Sequence, residues 1–282
     1  MIVYQSRFLT RGEVWFDDEP DASKVDWILY HQRSRPVPAA RWRYFYTRLI
    51  DLTASPEELF GQMSKDTAFK IRRARDRDKV QCEWRDPCDP CVLDEFVEVH
   101  DRFAALKGLP PLDRRGLSSM AASGALGISV AKDAQGRPLV YHGHYRNSLR
   151  TCCLYSASKY LELDDSAARN AIGRANRFLY WSEMLQAREQ GKKYFDFCGW
   201  YPGDSDPALL KINQFKKGFG GEVVREYECE QICTRWGWVV LKIAGLLRHG
   251  RDLAVAWKRI YEKDLSAGPS TEALGSALSA KH

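Results

Sequence analysis

Residues 175–200 read ANRFLYWSEMLQAREQGKKYFDFCGW, and this stretch decides the fold class. A long helix runs from about Ala167 or Ile172 to Gln190, and Gly191 closes it with the left-handed residue such ends favour. KKYFDFCGW is then a strand that finishes on a glycine. Before the helix, from Gly127, the hydrophobic period is two. GISVAKD, the turn AQGR, PLVYHGHYRN and LRTCCLYSAS read as an antiparallel meander. A meander that feeds a long helix and then a strand of the same sheet predicts an α/β or α+β arrangement, with a right-handed crossover.

Working outward, DPALLKINQFKKGF is a short helix and GEVVREYECEQI a final strand. On the amino-terminal side, residues 1–40 read as irregular, with RSRPVPAA extended. WRYFYTRLIDL, dense in aromatic and β-branched residues, is a strand. In TASPEELFGQM, Ser55 caps a helix, Pro56 takes its first position and Glu57 and Glu58 fill the first turn. A basic helix follows from about Asp66 to Arg77, carrying Lys70, Arg72, Arg73, Arg75 and Arg77, either a solvated face or an anion-facing one. VQCEW is a strand, and two helices follow near Pro90–Lys107 and Asp113–Ser123. The chain divides into 1–124, 125–235, a basic amphipathic segment 236–264 and a small, polar, disordered tail 265–282.

The 282 residues suffice for a sizeable core, and the 44% hydrophobic content excludes a disordered chain. A net charge of +6 suits phosphate-bearing ligands or an anionic surface without selecting either. Eight irregularly spaced cysteines and an amino terminus without a secretory signal point to a reducing cytoplasm. Cys88 and Cys91 form a CxxC with no second well-spaced pair, so no metal is expected.

ANRFLYWSEMLQAREQGKKYFDFCGW followed by LLKINQFKKGFGGEVV resembles the FemAB-like branch of the GNAT acyltransferase superfamily, whose members include peptidoglycan-bridge aminoacyltransferases and proteins of exopolysaccharide clusters. FKIRRARDRDKVQCEW looks like that family's R-x-x-R-x-A helix and the strand after it. The resemblance spans roughly residues 40 to 230. It implies a GNAT-like central mixed sheet with flanking helices, splayed to admit an acyl donor, which in this family is acyl-CoA or an aminoacyl-tRNA. Bridge-forming members carry two complete GNAT-like units and often a helical arm; here the first half is abbreviated and no arm is visible. The acyl-CoA signature has only an imperfect counterpart, NAIGRA, at Asn170–Ala175.

Candidate residues follow from the residue types and this resemblance. Asn170, Gly173, Arg174 and Ala175, at the expected start of the long helix, would let a donor pyrophosphate approach its free N–H groups, unless they merely pack closely on the sheet. Lys216, in the turn anchored by Phe215 and Phe219 and freed by Gly220–Gly221, would sit at the edge of the donor cleft, to meet a donor phosphate, to offset developing charge or as a solvated lysine. His142 and His144 share one strand face, suited to proton abstraction or to a plain polar face. Asp196 lies among aromatics where an unpaired carboxylate has a raised pKa, and the resemblance implies an acidic residue here; it reads as a general base, a hydroxyl anchor or a structural Asp. Tyr155, Ser156 and Lys159 end the meander, where GNAT strands part. Tyr155 could return a proton, and Ser156 and Lys159, with Trp200 and Arg72, would contact substrate.

The reading is an acyltransferase that moves an acyl group from acyl-CoA, as co-substrate, to an amine or hydroxyl of a cell-envelope or polysaccharide sugar, free or lipid-linked, by direct attack. An aminoacyl-tRNA-dependent transferase and a non-catalytic assembly scaffold are the alternatives. Residues 236–263 carry Trp236, Trp238 and Trp257 among cations and read as a peripheral contact with an anionic membrane surface or as an ordinary packed helix.

Overall fold

Helix boundaries follow local signals. In α1 (Pro56–Gly61) Ser55 and Glu58 form a reciprocal capping box with Pro56 at the start. Ser64 caps α2 (Lys65–Asp76), and Asp89, Asp113 and Asp206 cap α3 (Pro90–Lys107), α4 (Arg114–Ala122) and α6 (Pro207–Lys217). The long helix α5 (Ser166–Glu189) is capped by Asp165, whose side chain accepts from the Ala167 and Ala168 N–H groups. The computed structural model describes residues 1–6, 8–22, 25–159 and 165–248. Residues 249–264, with Trp257, and the tail 265–282 lie outside them.

The strands are β1 (Ile2–Ser6), β2 (Leu9–Trp15), β3 (Trp27–Arg33), β4 (Arg41–Asp51), β5 (Gln81–Arg85), β6 (Leu126–Lys132), β7 (Pro138–Arg146), β8 (Arg150–Ser158), β9 (Tyr194–Asp196) and β10 (Glu222–Ile232). They form one ten-stranded mixed sheet in the order β1-β2-β3-β10-β4-β9-β8-β7-β6-β5. The meander β6–β7–β8 is antiparallel, and β8 and β9 are adjacent and parallel with α5 between them in sequence. The division at residue 124 falls inside this sheet, since β5 pairs with β6 and β10 lies between β3 and β4.

Three strands occupy the amino-terminal stretch read as irregular. Their charges hide the apolar alternation because they are paired inside the protein. Glu13 on β2 accepts from Tyr4 Oη at 2.8 Å, meets Arg11 at 2.7 Å and faces His31 on β3 at 3.7 Å. Burial opposes charge at His31, but Glu228 and Glu13 outweigh it and raise its pKa to about 10.

Helices cover both faces. Phe96 of α3 and Leu117 and Met120 of α4 pack with Ile128, Val130 and Tyr145 on one side. On the other, Leu59, Ile71, Tyr180, Trp181 and Met184 from α1, α2 and α5 pack on Ile50, Phe195 and Phe197, and Phe219 joins them. Phe195, Phe197 and Phe219 are almost fully buried, each contributing roughly 1.5–3 kcal/mol of transfer free energy. The turn after α6 needs its glycines. Gly221 has φ +72°, and a Cβ there would come within 2.1 Å of Leu49 O. Among the described residues no helix is long and apolar enough to cross a membrane.

Candidate active site

The sheet splits at β9. Strand β8 pairs with β9 only from Arg150 to Cys152, because β9 ends at Asp196. Past that point the chain follows β4 instead. Phe197 N donates to Arg48 O at 3.1 Å and Trp200 N to Tyr46 O at 2.6 Å. The rest of β8, Cys153 to Ser158, pairs with β7 alone and presents an open edge toward the gap. Leu154 is an extra residue there, since Gly143 opposes Tyr155 and His144 opposes Cys153. A Cβ at Gly143 would come within 2.7 Å of Phe96, which fixes a glycine under this bulge. The result is a wedge with β8 on one lip and Phe197–Trp200 on the other.

The second lip carries backbone strain. Cys198 has φ +47° and Gly199 φ +67°. The Lys216 ammonium donates to both their carbonyl oxygens. Loss of hydration on burial lowers the Lys216 pKa. Lys216 thus belongs to the wedge, as a brace of its lip rather than a free cation in water. Its neighbour Lys217 is exposed.

Asp196 marks the apex, yet all its lone pairs are used. It accepts from Thr47 Oγ1, from Arg150, from Gln32 Nε2 at 2.7 Å and from Cys198 N at 2.7 Å. Arg150 also binds Glu226 through Nη1 at 2.7 Å. Burial raises the Glu226 pKa, opposed by Arg150. Of the three readings open for Asp196, its contacts match the hydrogen-bonded structural Asp: it shares a buried Arg150 with Glu226, and Phe195 and Phe197 turn to the opposite face.

The two histidines do share a face, and a residue from α5 governs them. Glu183 lies 2.8 Å from His142 Nδ1 and 3.2 Å from His144 Nε2 and accepts from Ser129 Oγ. His142 Nε2 is 2.8 Å from Asn176 Oδ1. Burial opposes charge throughout, but the imidazoles outweigh it at Glu183, lowering its pKa to about 2, and Glu183 outweighs it at His144, raising that pKa to about 10. His144 is thus an imidazolium at neutral pH and holds its proton. A recess at the other end of β8, bounded by Trp84, Gly127, Arg146 and Thr151, reaches His144 and Glu183. Ligand atoms of His142, His144 and Cys153 lie within 4.8 Å of one another, a donor set for a soft divalent ion, though Glu183 and Asn176 already engage the imidazoles. Cys88 and Cys91 are exposed at the start of α3.

The expected donor residues fall elsewhere. Helix α5 begins at Ser166, two turns before Gly173, so the backbone N–H groups of Gly173, Arg174 and Ala175 are used inside the helix. The true amino end is capped by the Asp165 carboxylate, which neutralises it as an anion site. Arg174 bonds Asp78 at 2.6 Å, Ala175 is buried and Asn170 is exposed. Arg72 on α2 lies 5.0 Å over the Phe60 ring.

Around the wedge, Tyr155 turns to α3, with ring centroids 5.5 Å from His100 and 6.4 Å from Phe96; burial raises its pKa. Ser156 turns the other way, toward Tyr180. Lys159, just past β8, is half-buried. Trp200 stacks under the Arg48 guanidinium at 5.2 Å. From there an aromatic face that the sequence reading took only as a strand runs outward along β4. Tyr46, Tyr44 and Trp42 alternate onto it, with Tyr227 of β10 5.4 Å from Trp42 and Arg225 4.7 Å over Tyr44. Trp42 and Tyr44 are exposed.

In sequence, no family model matches the chain and no curated protein is recognisably similar to it. In structure it matches FemX with a TM-score of 0.56 at 14% identity, over 74% of this chain and 72% of that one. L-PGS from Bacillus licheniformis is also similar, with a TM-score of 0.49 at 14% identity over 84% of this chain and 85% of that one. So is Saccharomyces cerevisiae N-myristoyltransferase with bound myristoyl-CoA, with a TM-score of 0.39 at 13% identity over 72% of this chain and 53% of that one. The architecture is GNAT-like, and the resemblance drawn from residues 40 to 230 holds at the level of the fold.

Proposed function

We propose that the wedge between β8 and the Phe197–Trp200 lip is an acyl-transfer site, with acyl-CoA as donor and an amine or hydroxyl of an envelope or polysaccharide sugar as acceptor. The observation that carries this reading is the strained Cys198–Gly199 turn held open by Lys216 opposite a bulged, unpaired strand edge. The acceptor's lone pair attacks the donor carbonyl, the new C–N or C–O bond forms, and the thioester C–S bond breaks. N–H groups on the open β8 edge, with the Lys216 N–H not given to the turn, stabilise the developing oxyanion. Asp196 is saturated and His144 already protonated, so the acceptor's proton passes to the departing sulfur, directly or through water. The aromatic face Trp42–Tyr44–Tyr46 suits the apolar side of a sugar ring, and it adjoins the wedge through Trp200.

Two observations favour an aminoacyl-tRNA donor instead. Arg72, Arg73 and Arg75 on α2 and Arg77 at its C-cap are exposed, and the Asp165 cap withholds the α5 terminus from a CoA pyrophosphate. Calorimetric titration with acetyl-CoA, a longer acyl-CoA and charged tRNA separates these readings. Heat with a CoA ester, little changed by salt, supports the first. Heat with tRNA alone, collapsing as salt rises, supports the second. No heat with any donor leaves a non-catalytic scaffold.

A further inference from the structure

The last described helix, α7 (Arg235–Arg248), reads RWGWVVLKIAGLLR, with three cations and no carboxylate. Its first turn is fixed to the sheet. Thr234 Oγ1 donates to Asp26 Oδ1 at 2.6 Å, and a Cβ at Gly237 would come within 2.6 Å of Asp26 O, so helix and loop meet backbone to backbone. The opposite side carries what a soluble protein would bury. Trp236 is 55% exposed, Trp238 54%, Ile243 52% and Val239 39%. At the helical spacing of about 100° per residue, Trp238, Lys242, Arg235, Val239, Ile243 and Trp236 follow one another around an arc of roughly 160°.

A distant part of the chain completes this surface. The turn between β1 and β2 presents Phe8, 69% exposed, the most exposed large apolar side chain among the described residues. Trp236 Nε1 donates to Phe8 O at 2.9 Å, joining turn and helix. Lys242 Nζ lies 5.6 Å from the Trp238 ring, so the cation stands among the apolar groups. Aromatic and aliphatic side chains mixed with cations, and no acid on the helix, match the headgroup layer of an anionic bilayer, where indole rings settle at the boundary and basic side chains meet phosphate.

We infer that α7 and the β1–β2 turn form a docking surface for an anionic phospholipid bilayer, with Phe8, Trp236 and Trp238 as its inserted anchors and Arg235 and Lys242 as its phosphate contacts. The sequence offered residues 236–263 as a membrane contact or an ordinary packed helix; the addition of Phe8 makes a composite surface with a defined orientation. It lies apart from the wedge and does not depend on transfer chemistry.

The test is sedimentation of the full chain with vesicles of phosphatidylcholine, alone or with about 30% phosphatidylglycerol, without any acyl donor. The expected result is binding to the anionic vesicles only, weakened by salt. Each basic residue at such a surface raises partitioning about fivefold, so Lys242→Glu, a change of two charges, should weaken it on the order of 25-fold. Phe8→Ser and Trp238→Ser, exposed positions whose folding circular dichroism checks, should each weaken it at least about fivefold. Failure to bind anionic vesicles overturns the inference. So does binding that Phe8→Ser and Trp238→Ser leave unchanged, which would assign it to another segment. So, too, does a dimer that Phe8→Ser converts to monomer without change in vesicle binding, which would make a second copy the occupant.

Discussion

Arg150→Met removes the cation shared by two buried carboxylates. Arg150, Asp196 and Glu226 are all buried, and Arg150 supplies both charge and hydrogen bonds to the pair. In the variant, Asp196 and Glu226 keep only Gln32 Nε2 in common, at 2.7 and 3.2 Å. Breaking a buried pair from one side costs about 3–5 kcal/mol, because the remaining charge is neither hydrated nor paired. With roughly 2–4 °C per kcal/mol for a domain of this size, Tm should fall by on the order of 10 °C. The deficit should depend on pH in one direction. Burial already holds the Glu226 pKa up, and loss of Arg150 raises it further. A carboxylate whose folded pKa lies above its unfolded value favours the fold below the unfolded value and loses that contribution as pH rises through the folded one. The variant should therefore be nearest wild type under acid conditions and furthest from it under neutral ones. Urea unfolding at about pH 5 and pH 8 measures both quantities. The neutral triple variant Arg150→Met, Asp196→Asn, Glu226→Gln should recover part of the loss. A deficit under about 1 kcal/mol, or one equal at the two pH values, refutes a closed buried ion cluster at the wedge apex.

Three further outcomes follow from the same geometry. Stability from the Glu183–His144 pair should be complete between about pH 4.5 and 6.5, lost in acid as pH falls from 4.5 toward 2 and in base as pH rises from 6.5 toward 10; Glu183→Gln should flatten both limbs of a Tm-against-pH curve. Gly221→Ala, which forces a Cβ against Leu49 O, should cost well over the roughly 1 kcal/mol expected of Gly191→Ala, where a Cβ meets open space at φ +76°; urea midpoints rank them. Lys216→Met should lower the transfer rate about 100-fold with donor binding heat nearly unchanged, whereas a lysine that only ligates donor phosphate would lose the heat first.

Much of this architecture was legible because it rests on local chemistry. Ser55, Pro56 and Glu58 announce α1, and Gly220–Gly221 announce the turn that Leu49 O makes obligatory. Strand alternation puts Phe195 and Phe197 on the face opposite Asp196, as the packing shows. What period cannot show is the partner. Arg150 is 46 residues before Asp196 in the chain and Glu183 41 after His142, and each turns a candidate base into a member of a closed ion cluster. The first strands escaped notice because Glu13, Arg11 and His31 are charged yet satisfied inside the sheet. Two signals were available and went unread. Asp165 before Ser166 is an ordinary N-cap that sets the start of α5, and aromatics at Trp42, Tyr44 and Tyr46 mark one face by their spacing of two.

The position of β10 has a consequence for biogenesis. Ribosomes deliver Arg33 long before Ile232, yet these two strands are neighbours in the finished sheet. At ~5–20 residues per second the β3 edge waits about 10–40 s for its mate. Through that interval the nascent chain exposes a strand edge able to recruit the wrong partner, so overexpression should reward slow synthesis or a chaperone that shields the first 51 residues.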